Sequence, residues 1–479
     1  MSSFQVLLLS AFVVAVTSIK CNSTSLSVYG IPFPPVYPPN WNYTTIPETF
    51  DANTSCTLLL PIPTGYSVVI HYKLYDGNAV TVVDSLANSE VWTATTGNSQ
   101  RITGYGGDHV TIVIKSSQQV SFSFRYDFTK LQTTTPSVFN ISKGEQGRML
   151  SVSTAMRISA ETRVSLVPMP TDIPQNYDAN KFALVYDGSN ENATFLGSYS
   201  NFYKRNIVST GKDLFVVALW SYAIDSYAAY QDYSDVSEMN SFQGVYNFDE
   251  SYLLSLDATK GPSAIYSHIS GGAEYIRNAD ISKGAIISVY SGFKLSDNSN
   301  RLATYTSDDI DTKLPQEFLR SLITIVLDSG TATLNMSRRA DDAGFYVPRN
   351  GRKGFFSSRN YPFLEKTEIT TDLLAATYDQ AVAGKKFKYS WNITQFDYST
   401  GASIEISVTT DSSKQQVFVY DKTNKDNMQG SVVGRNMFTT FTPQDQPNQG
   451  FFMEFSIENS GYRTAFIMVL LSSFPLFYL

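Results

Sequence analysis

Apolar and polar residues alternate along many short stretches of this chain. From His109 to Ser117, and again from Val120 to Phe128, the apolar residues fall largely on every second position. Successive side chains of a β-strand point to opposite faces of a sheet, so a period of two indicates strands that bury one face. Long stretches with the helical period are absent from the sequence, and the pattern therefore predicts an all-β fold.

The strand-like stretches recur at a regular interval along the chain. Three of them end at a turn residue, Asp84, Asp187 or Ser291, and these positions are 103 and 104 residues apart. A looser fourth copy follows between Gly354 and Asn459. A fixed period of self-similar segments is the signature of repeated structural modules.

Each repeat has the size of one β-sandwich, which takes about 100 residues. We therefore predict tandem β-sandwich modules of the jelly-roll type. Two neighbouring strand-like stretches close each copy and predict a hairpin, with residues 116–118 as its turn in the first copy. The predicted segments are a signal peptide at 1–18, sandwiches at 19–132, 137–236, 242–339 and 345–459, and a C-terminal propeptide at 460–479.

Both ends of the sequence carry apolar runs. The first, at 6–16, has the length of a signal-peptide core. The last, at 465–479, is shorter than the roughly 20 residues that a membrane-spanning helix needs, and it follows the small-residue trio at 459–461. Together they predict secretion followed by attachment of a GPI lipid at Asn459 in the outer leaflet of the membrane. A tail-anchor helix and a buried strand are the alternatives for the last run.

Composition and charge exclude several classes of partner. Aromatic residues make up 14% of the chain and charged residues only 16%, which suits half-buried strands with polar outer faces. The formal net charge is -7 and the isoelectric point is about 5.2. Nucleic-acid binding needs a basic face, so we predict no nucleic-acid partner. Attraction to anionic membranes by charge is disfavoured for the same reason.

The chain has two cysteines, Cys21 and Cys56, in the same N-terminal region. In an oxidising compartment such a pair favours a disulfide. The alternative is two free buried thiols, which suits a cytosolic protein and conflicts with the secretory interpretation of the ends. The three histidines are not spaced near a cysteine in the manner of a metal site.

Asn-X-Ser/Thr sequons are present in about the number that chance alone would produce. If the chain is secreted, their asparagines are the predicted acceptors of N-linked glycans. They lie at Asn22, Asn42, Asn53, Asn140, Asn192, Asn335 and Asn392.

Residues 21 to about 130 carry an ordered set of motifs that resembles the nematode CUB-like domain family, a divergent branch of CUB domains. The motifs are Cys21, VYPPNW at 36–41, NTSCTLLLP at 53–61, PTGYSVVIHY at 63–72, VVDS at 82–85 and VSFSF at 120–124. The resemblance implies a sandwich of two antiparallel sheets, a Cys21–Cys56 bond that pins the N-terminal segment, and a secreted or surface protein. Members of the family look like innate-defence proteins of barrier tissue, many of them GPI-anchored.

The later repeats resemble CUB domains more weakly. VYDG at 185–188 and FSSRNYP at 356–362 match common CUB motifs, but these repeats lack cysteines. From the periodicity we interpret them as degenerate CUB-like sandwiches. The expected fold class is therefore all-β, with tandem CUB-like sandwiches.

Ordinary CUB domains often bind calcium through several acidic side chains in loops at one end, and calcium prefers six to eight oxygen ligands. Asp187 matches one such ligand, whereas Ser291 stands where the third repeat would need an aspartate. No repeat shows the complete set, and Asp187 followed by Gly188 is typical of a turn. We predict no metal site and no cofactor. The acidic residues at 308, 309 and 311 are interpreted as a solvated loop face.

The motifs of common enzyme classes are missing from the sequence, including G-x-S-x-G, H-E-x-x-H and the P-loop. The glycine-rich string GYGGDH at 104–109 precedes a strand rather than a helix, so we interpret it as a tight turn and not a phosphate cradle. No partner for His109 as a catalytic base can be identified. We therefore predict no catalytic residues and no enzymatic activity.

The ends, the resemblance and the missing catalytic motifs favour a GPI-anchored surface glycoprotein that binds extracellular protein or glycan ligands, in innate defence at an epithelial surface. One alternative is a secreted hydrolase, which needs a cleft that holds a Ser or Asp beside His109 or His268. The other is a structural matrix protein, but the low-complexity or cross-linkable repeats typical of that class are lacking.

Overall fold

The structure is a computed structural model, in which the chain divides into two units. Unit 1 comprises Met1–Phe248, Lys260–Ser270 and Phe293–Asn298, and unit 2 comprises Asp249–Thr259, Gly271–Gly292 and Ser299–Leu479. The predicted signal peptide and the tail after Ser460 lie outside the described residues. The structure describes residues 20–26, 35–39, 41–42, 48–75, 80–96, 99–131, 135–151, 155–170, 179–203, 205–219, 227–247, 249–269, 271–376, 379, 382–398, 401–411, 414–424 and 427–460.

The described part of the first half of the chain folds into short strands and single turns of 3₁₀ helix. The first strands are β1 (Thr24–Ser25), β2 (Val36–Tyr37), β3 (Thr49–Phe50), β4 (Thr54–Pro61), β5 (Tyr66–Leu74), β6 (Val80–Asp84), β7 (Ser89–Val91), β8 (Arg101–Tyr105), β9 (His109–Ser116) and β10 (Val120–Lys130). They are followed by β11 (Ser137–Ile141), β12 (Arg148–Ser151), β13 (Met156–Ala160), β14 (Val164–Met169), β15 (Ala183–Asp187), β16 (Thr194–Ser198), β17 (Ile207–Val208), β18 (Asp213–Ala218) and β19 (Tyr227–Asp232). The 3₁₀ turns are Ala179–Phe182, Tyr199–Phe202 and Tyr233–Asp235.

The second half continues with strands and short α-helices. Its first elements are β20 (Ser241–Asn247), β21 (Ser251–Ala258), β22 (Ser263–Ile269), β23 (Glu274–Ile281), β24 (Ile287–Ser291), β25 (Arg301–Tyr305), α1 (Ile310–Lys313), β26 (Gln316–Phe318), β27 (Leu322–Leu327), β28 (Gly330–Ser337) and α2 (Ala340–Ala343). The last strands are β29 (Lys353–Ser357), β30 (Thr370–Ala375), β31 (Phe387–Phe396), β32 (Ser403–Asp411), β33 (Lys414–Tyr420), β34 (Gln429–Gly434), β35 (Asn436–Thr442) and β36 (Phe451–Asn459).

Unit 1 contains two β-sandwiches. In the first, the sheet β1-β4-β9-β6-β7 faces the sheet β2-β10-β5-β8, and β3 pairs with β10. In the second, the sheet β11-β13-β18-β15-β16 faces the sheet β12-β19-β14-β17. The two sheets of the first sandwich share one core, in which Leu58 and Ile112 pack with Ile70 and Phe122. The predicted alternation therefore buries one face of each strand, as an aligned sandwich requires.

Unit 2 contains a complete sandwich at its C-terminal end. The sheet β29-β36-β31-β34 faces the sheet β30-β35-β32-β33, and Trp391 and Met453 of one pack with Ile404 and Phe441 of the other. The unit also contains the sheet β21-β28-β23-β26. In addition, β24 pairs antiparallel with β25 on one side and with β27 on the other. The expected all-β fold of sandwich type is confirmed. Among the described residues, no helix has the length and apolar character that crossing a membrane requires.

The predicted closing hairpins are wrong. Strand β9 pairs with β4 and β6 in one sheet of the first sandwich, whereas β10 pairs with β2 and β5 in the other. Strands β18 and β19 are divided between two sheets in the same way. Because both edges of β9 are already occupied, the exposed chain at 117–119 passes to the opposite sheet instead of turning back. This crossing lets both strands bury their apolar faces in one core.

The interpretation of GYGGDH as a tight turn is correct for residues 106–108, between β8 and β9, where the φ of +87° at Gly107 favours glycine. Gly104 belongs to β8. A Cβ atom at Gly104 would lie 2.9 Å from the ring of Phe182, and one at Gly106 would lie 2.6 Å from the ring of Phe195. These glycines therefore let the aromatic surface of the second sandwich approach the first, inside unit 1.

Cys21 and Cys56 form a disulfide with a Cα–Cα distance of 5.8 Å. Cys56 lies in β4, and the bond is next to the parallel pairing of β1 with β4, where Thr24 is opposite Leu58. The bond therefore pins the N-terminal segment against the first sheet, as the resemblance implied.

We expect the double variant Cys21→Ser/Cys56→Ser to lower the free energy of unfolding of the first sandwich by about 3 to 4 kcal/mol. The bond closes a loop with a sequence separation of 35, and its loss restores the chain entropy of the unfolded state. Urea unfolding followed by pulse-labelling mass spectrometry measures this free energy from the labelling of peptides of the first sandwich. Reduction of the parent protein should reproduce the loss, and peptides of unit 2 serve as the internal control. A loss below about 1 kcal/mol would contradict the prediction.

Candidate functional site

The predicted glycan acceptors lie mostly at exposed positions. Six of the seven asparagines are exposed, and Asn335 is half-buried. Asn335 lies in β28, which has β21 on one side and β23 on the other. Because a neighbouring strand occupies each edge of β28, Asn335 is the least accessible of the acceptors.

Asp84 and Asp187, at the repeated turn positions, both accept hydrogen bonds from backbone N–H groups, Asp84 within its own turn and Asp187 from a separate segment. The Asp84 carboxylate accepts hydrogen bonds from the backbone N–H groups of Leu86 and Asn88, both at 2.9 Å. The Asp187 carboxylate accepts one from the backbone N–H of Thr210 at 2.9 Å. Among the described residues, no three His, Cys, Asp or Glu side chains are grouped so that they could hold a metal ion.

The acidic loop at 308–311 is organised around Asp309. Its carboxylate accepts a hydrogen bond from the backbone N–H of Thr306 at 2.8 Å and pairs with Lys313 at 2.6 Å. Burial raises the pKa of Asp309, but the hydrogen bonds from Lys313 and Thr306 together outweigh it and hold the pKa below its usual value. The loop therefore forms the start of α1, where a carboxylate is favoured.

The three histidines lie in different surroundings. His109 is partly exposed, and its Nδ1 lies 2.7 Å from the well-exposed carboxylate of Asp108. His71 is buried, and burial together with the charge of Arg125 lowers its pKa to about 4. Burial also lowers the pKa of His268 to about 4, and its ring lies 4.7 Å from the ring of Tyr246. The buried imidazoles are therefore neutral at physiological pH.

Unit 2 has a concave cleft of about 520 Å³, a size typical of ligand sites. One wall is the outer face of the sheet that contains β29, β36 and β31. The other wall is β25, with Lys313 at the end of α1 and Gln316 at the start of β26. We call this feature the unit 2 cleft.

The register of the sheet explains which side chains line the first wall. In β31 and β36, every second residue points into the sandwich core, so the intervening residues face outward. Glu454 is opposite Phe355 on one neighbouring strand and opposite Asn392 on the other. These three side chains therefore form one row across the outer face of the sheet.

A second row lies beside the first. Ser456 is opposite Lys353 of β29 and Ser390 of β31. The ring of Phe452, also on the outer face, stacks on Phe355 with the centroids 4.9 Å apart and lies 5.3 Å from Tyr361. The wall thus combines a fixed aromatic surface with hydroxyl, ammonium and carboxylate groups.

Gln316 connects the two walls. Its side-chain nitrogen donates to the carbonyl of Phe355 at 2.8 Å, and its side-chain oxygen accepts from the backbone N–H of Phe355 at 3.1 Å. The buried side-chain amide thus hydrogen-bonds to both the N–H and the C=O of one residue, as a neighbouring strand would. The cleft is therefore held open by fixed hydrogen bonds within unit 2.

The charged side chains of the cleft are Arg301, Lys313, Lys353 and Glu454. Lys313 is engaged by Asp309 and donates to the carbonyl of Thr304 at 2.9 Å. Among the described residues, neither Arg301 nor Lys353 forms an ion pair, and both are exposed. The cleft is thus locally basic in a chain whose net charge is -7.

Sequence reasoning missed this site except for Asn392. Arg301, Lys353 and Glu454 come from three strands that are far apart in sequence, and none belongs to a recognisable motif. One feature of the sequence did point to the site. In β36, Phe452 and Glu454 alternate with core residues, so their side chains point away from the core. This alternation places both side chains on the outer face of the sheet, but it does not show that a second wall covers that face.

Comparison with family models finds a CUB-like domain at residues 16–132. Residues 140–219 match a domain of unknown function (DUF7592), and residues 234–339 match another (DUF7591). No curated protein sequence matches the chain.

Comparison with solved structures finds similarity to the CUB1-EGF-CUB2 domain of human MASP-1/3, at 11% identity and a TM-score of 0.16, covering 44% of this chain and 100% of that one. The corresponding domains of rat MASP-1 match at 11% identity and a TM-score of 0.15, with 45% and 99% coverage. Tripeptidyl peptidase 2 matches at 9% identity and a TM-score of 0.18, with 84% of this chain but only 25% of that one covered.

Proposed function

We propose that this protein is a cell-surface glycoprotein that binds extracellular protein or glycan ligands. The observation that carries the proposal is the CUB-like domain at residues 16–132, which indicates an extracellular ligand-binding module. The Cys21–Cys56 disulfide in this domain supports an oxidising compartment. The exposed sequon asparagines support glycosylation.

Anchoring by a GPI lipid at Asn459 is part of the proposal. It is supported by the apolar run at 465–479 and by the position of Asn459, which is exposed and is the last residue of β36. Processing at this residue would leave every strand of the last sandwich in place.

A role in innate defence at an epithelial surface is also part of the proposal. Its support is the resemblance of residues 21 to about 130 to the nematode CUB-like family. A β-sandwich is a scaffold for many functions, so the ligand must be recognised by particular side chains.

We propose binding rather than catalysis. His109 and Asp108 are adjacent and solvent-exposed, whereas a general base usually lies in a site from which water is excluded. The buried Nδ1 of His268 has no hydrogen-bond partner among the described residues, so it lacks the orienting group that a catalytic histidine needs. The carboxylate that the hydrolase alternative needs is present beside His109, but in an exposed position, and binding remains the proposed function.

The first test is treatment of cells that express the full chain with GPI-specific phospholipase C. We expect release of a glycosylated protein whose C-terminal peptide carries an anchor remnant at Asn459. A variant that lacks residues 465–479 is the control and should be secreted without the enzyme. Retention inside the cell, or a protein that resists release with residues 465–479 still attached, would contradict the anchoring proposal.

A further inference from the structure

We infer that the unit 2 cleft is a binding site for a saccharide that carries a carboxylate, such as a uronic or sialic acid unit. The inference rests on the proposed function, because it names the class of ligand for an extracellular binding protein. Three features of the cleft support it: two unpaired cations, one carboxylate, and an aromatic floor.

The unpaired cations favour an anionic group on the ligand. Arg301 and Lys353 come from opposite walls, and both are exposed at the cleft. Neither forms an ion pair among the described residues, so neither is neutralised within the described part of unit 2. A guanidinium binds a carboxylate through two parallel hydrogen bonds, and an ammonium adds a point charge.

The carboxylate of Glu454 excludes a ligand that is anionic throughout. Glu454 lies on the same wall as Lys353, and a polyanion placed along this wall would be repelled by it. A carboxylate is an acceptor only, so its natural partner is a hydroxyl or amide donor. A ligand with one carboxylate and several hydroxyl groups satisfies both Glu454 and the cations.

The aromatic floor completes the match. Phe452 is half-buried, and its ring is held by stacking on Phe355 and by a tilted contact with Tyr361. A fixed apolar ring offers contact area to the C–H face of a pyranose without a loss of side-chain entropy. An acidic peptide would satisfy the cations, but its flexible backbone would gain less from a rigid flat surface.

The sequon at Asn392 lies in the same cleft, in the row that contains Glu454. The Asn392 side chain is exposed, so a glycan attached to it would start inside the cleft. Such a glycan and a free saccharide would exclude each other. Glycosylation of Asn392 is therefore expected to close the site.

The test uses the full chain purified from animal cells, with Thr394→Ala to remove the sequon while keeping the Asn392 amide. The probe is labelled 3′-sialyllactose, which carries one carboxylate, and lactose is its neutral counterpart. We expect Thr394→Ala protein to bind the acidic probe at least tenfold more tightly than the neutral one. We also expect parent protein that carries a glycan on Asn392, as shown by mass spectrometry, to bind it at least tenfold more weakly than Thr394→Ala.

Variants locate the site. In the Thr394→Ala background, Arg301→Met and Lys353→Met should each weaken binding of the acidic probe at least tenfold. Lys414→Met, which removes an exposed cation from the other sheet, is the matched control and should leave it unchanged. Equal binding of both probes, no effect of Arg301→Met, or equally tight binding of a glutamate-rich peptide would each overturn the inference. The purified protein is used, so absence from the cell surface would overturn the proposed function without affecting this result.

Discussion

The Arg352→Met variant should lose about 5 kcal/mol of the free energy of unfolding of unit 2. Arg352 is only 1% exposed, and its guanidinium donates to the carbonyls of Phe345 at 2.6 Å, Val347 at 3.0 Å and Pro315 at 3.0 Å. A hydrogen bond to a charged group contributes about 1.5–3 kcal/mol, and a buried acceptor left without a donor costs a similar amount.

The contacts of Arg352 explain why the loss should be large. Pro315 precedes β26, and Phe345 and Val347 follow α2, so one side chain joins segments that are separate in the chain. The guanidinium also lies 5.1 Å from the ring centre of Phe345 and 5.5 Å from that of Phe455. Burial, with a contribution from Arg349, lowers the pKa of Arg352 to about 9, which still leaves it charged at pH 7.

Urea unfolding followed by pulse-labelling mass spectrometry gives the stability of unit 2 separately from unit 1. Arg301→Met is the matched control, because Arg301 is an exposed strand arginine of the same unit, and it should change stability by less than about 0.5 kcal/mol. Arg352→Lys should be intermediate, because an ammonium keeps the charge but lacks the planar fork. A loss below about 1 kcal/mol in Arg352→Met would show that the three carbonyls find other donors.

Unit 2 should be more stable at pH 5 than at pH 8, because its buried Glu274 is protonated when folded. Burial raises the pKa of Glu274 to about 8, against the opposing charge of Arg338. The hydroxyl of Tyr252 donates to its Oε1. A carboxyl whose pKa is higher when folded stabilises the fold at low pH, and that stability is lost as the pH rises towards the folded-state pKa.

The size of the effect follows from proton linkage. Between the ordinary value of 4.5 and the folded value of about 8, the folded state holds one more proton than the unfolded state. Each pH unit in this range therefore costs about 1.4 kcal/mol, and the whole range costs on the order of 5 kcal/mol.

Two further carboxyls act in the same direction. Burial raises the pKa of Glu317, which accepts a hydrogen bond from the Tyr275 hydroxyl, against the charges of Arg359 and Arg352. Burial, and then the neighbouring Glu317, raise the pKa of Asp372 well above its ordinary value. The pair therefore adds to the loss of stability at higher pH.

The measurement is urea unfolding of unit 2 between pH 5 and pH 8, with the labelling pulse at one fixed pH. Glu274→Gln should reduce the slope of stability against pH by about 1.4 kcal/mol per pH unit. Glu405→Gln removes an exposed strand carboxyl of the same unit and should leave the slope unchanged. A parent protein that is equally stable at both pH values would contradict the prediction.

These predictions depend on residues that the sequence does not distinguish. Arg352 stands between Gly351 and Lys353 in a polar turn, with no feature that marks it as buried. Glu274 alternates with apolar neighbours no differently from the exposed Glu405. In both cases the neighbouring segments that cover the side chain come from other parts of the chain, so local pattern carries no information about its burial.

The sequence alone determined the strands, the sandwich class and the partner cysteines, because each depends on short-range properties. The period of two selects the buried face of a strand, and the motifs around Cys21 and Cys56 are local. Only the tertiary structure decided that β9 and β10 belong to different sheets, since pairing depends on which strand edges other strands already occupy. The unit 2 cleft was decided in the same way, because a concave site exists only where a second wall covers an outward-facing sheet.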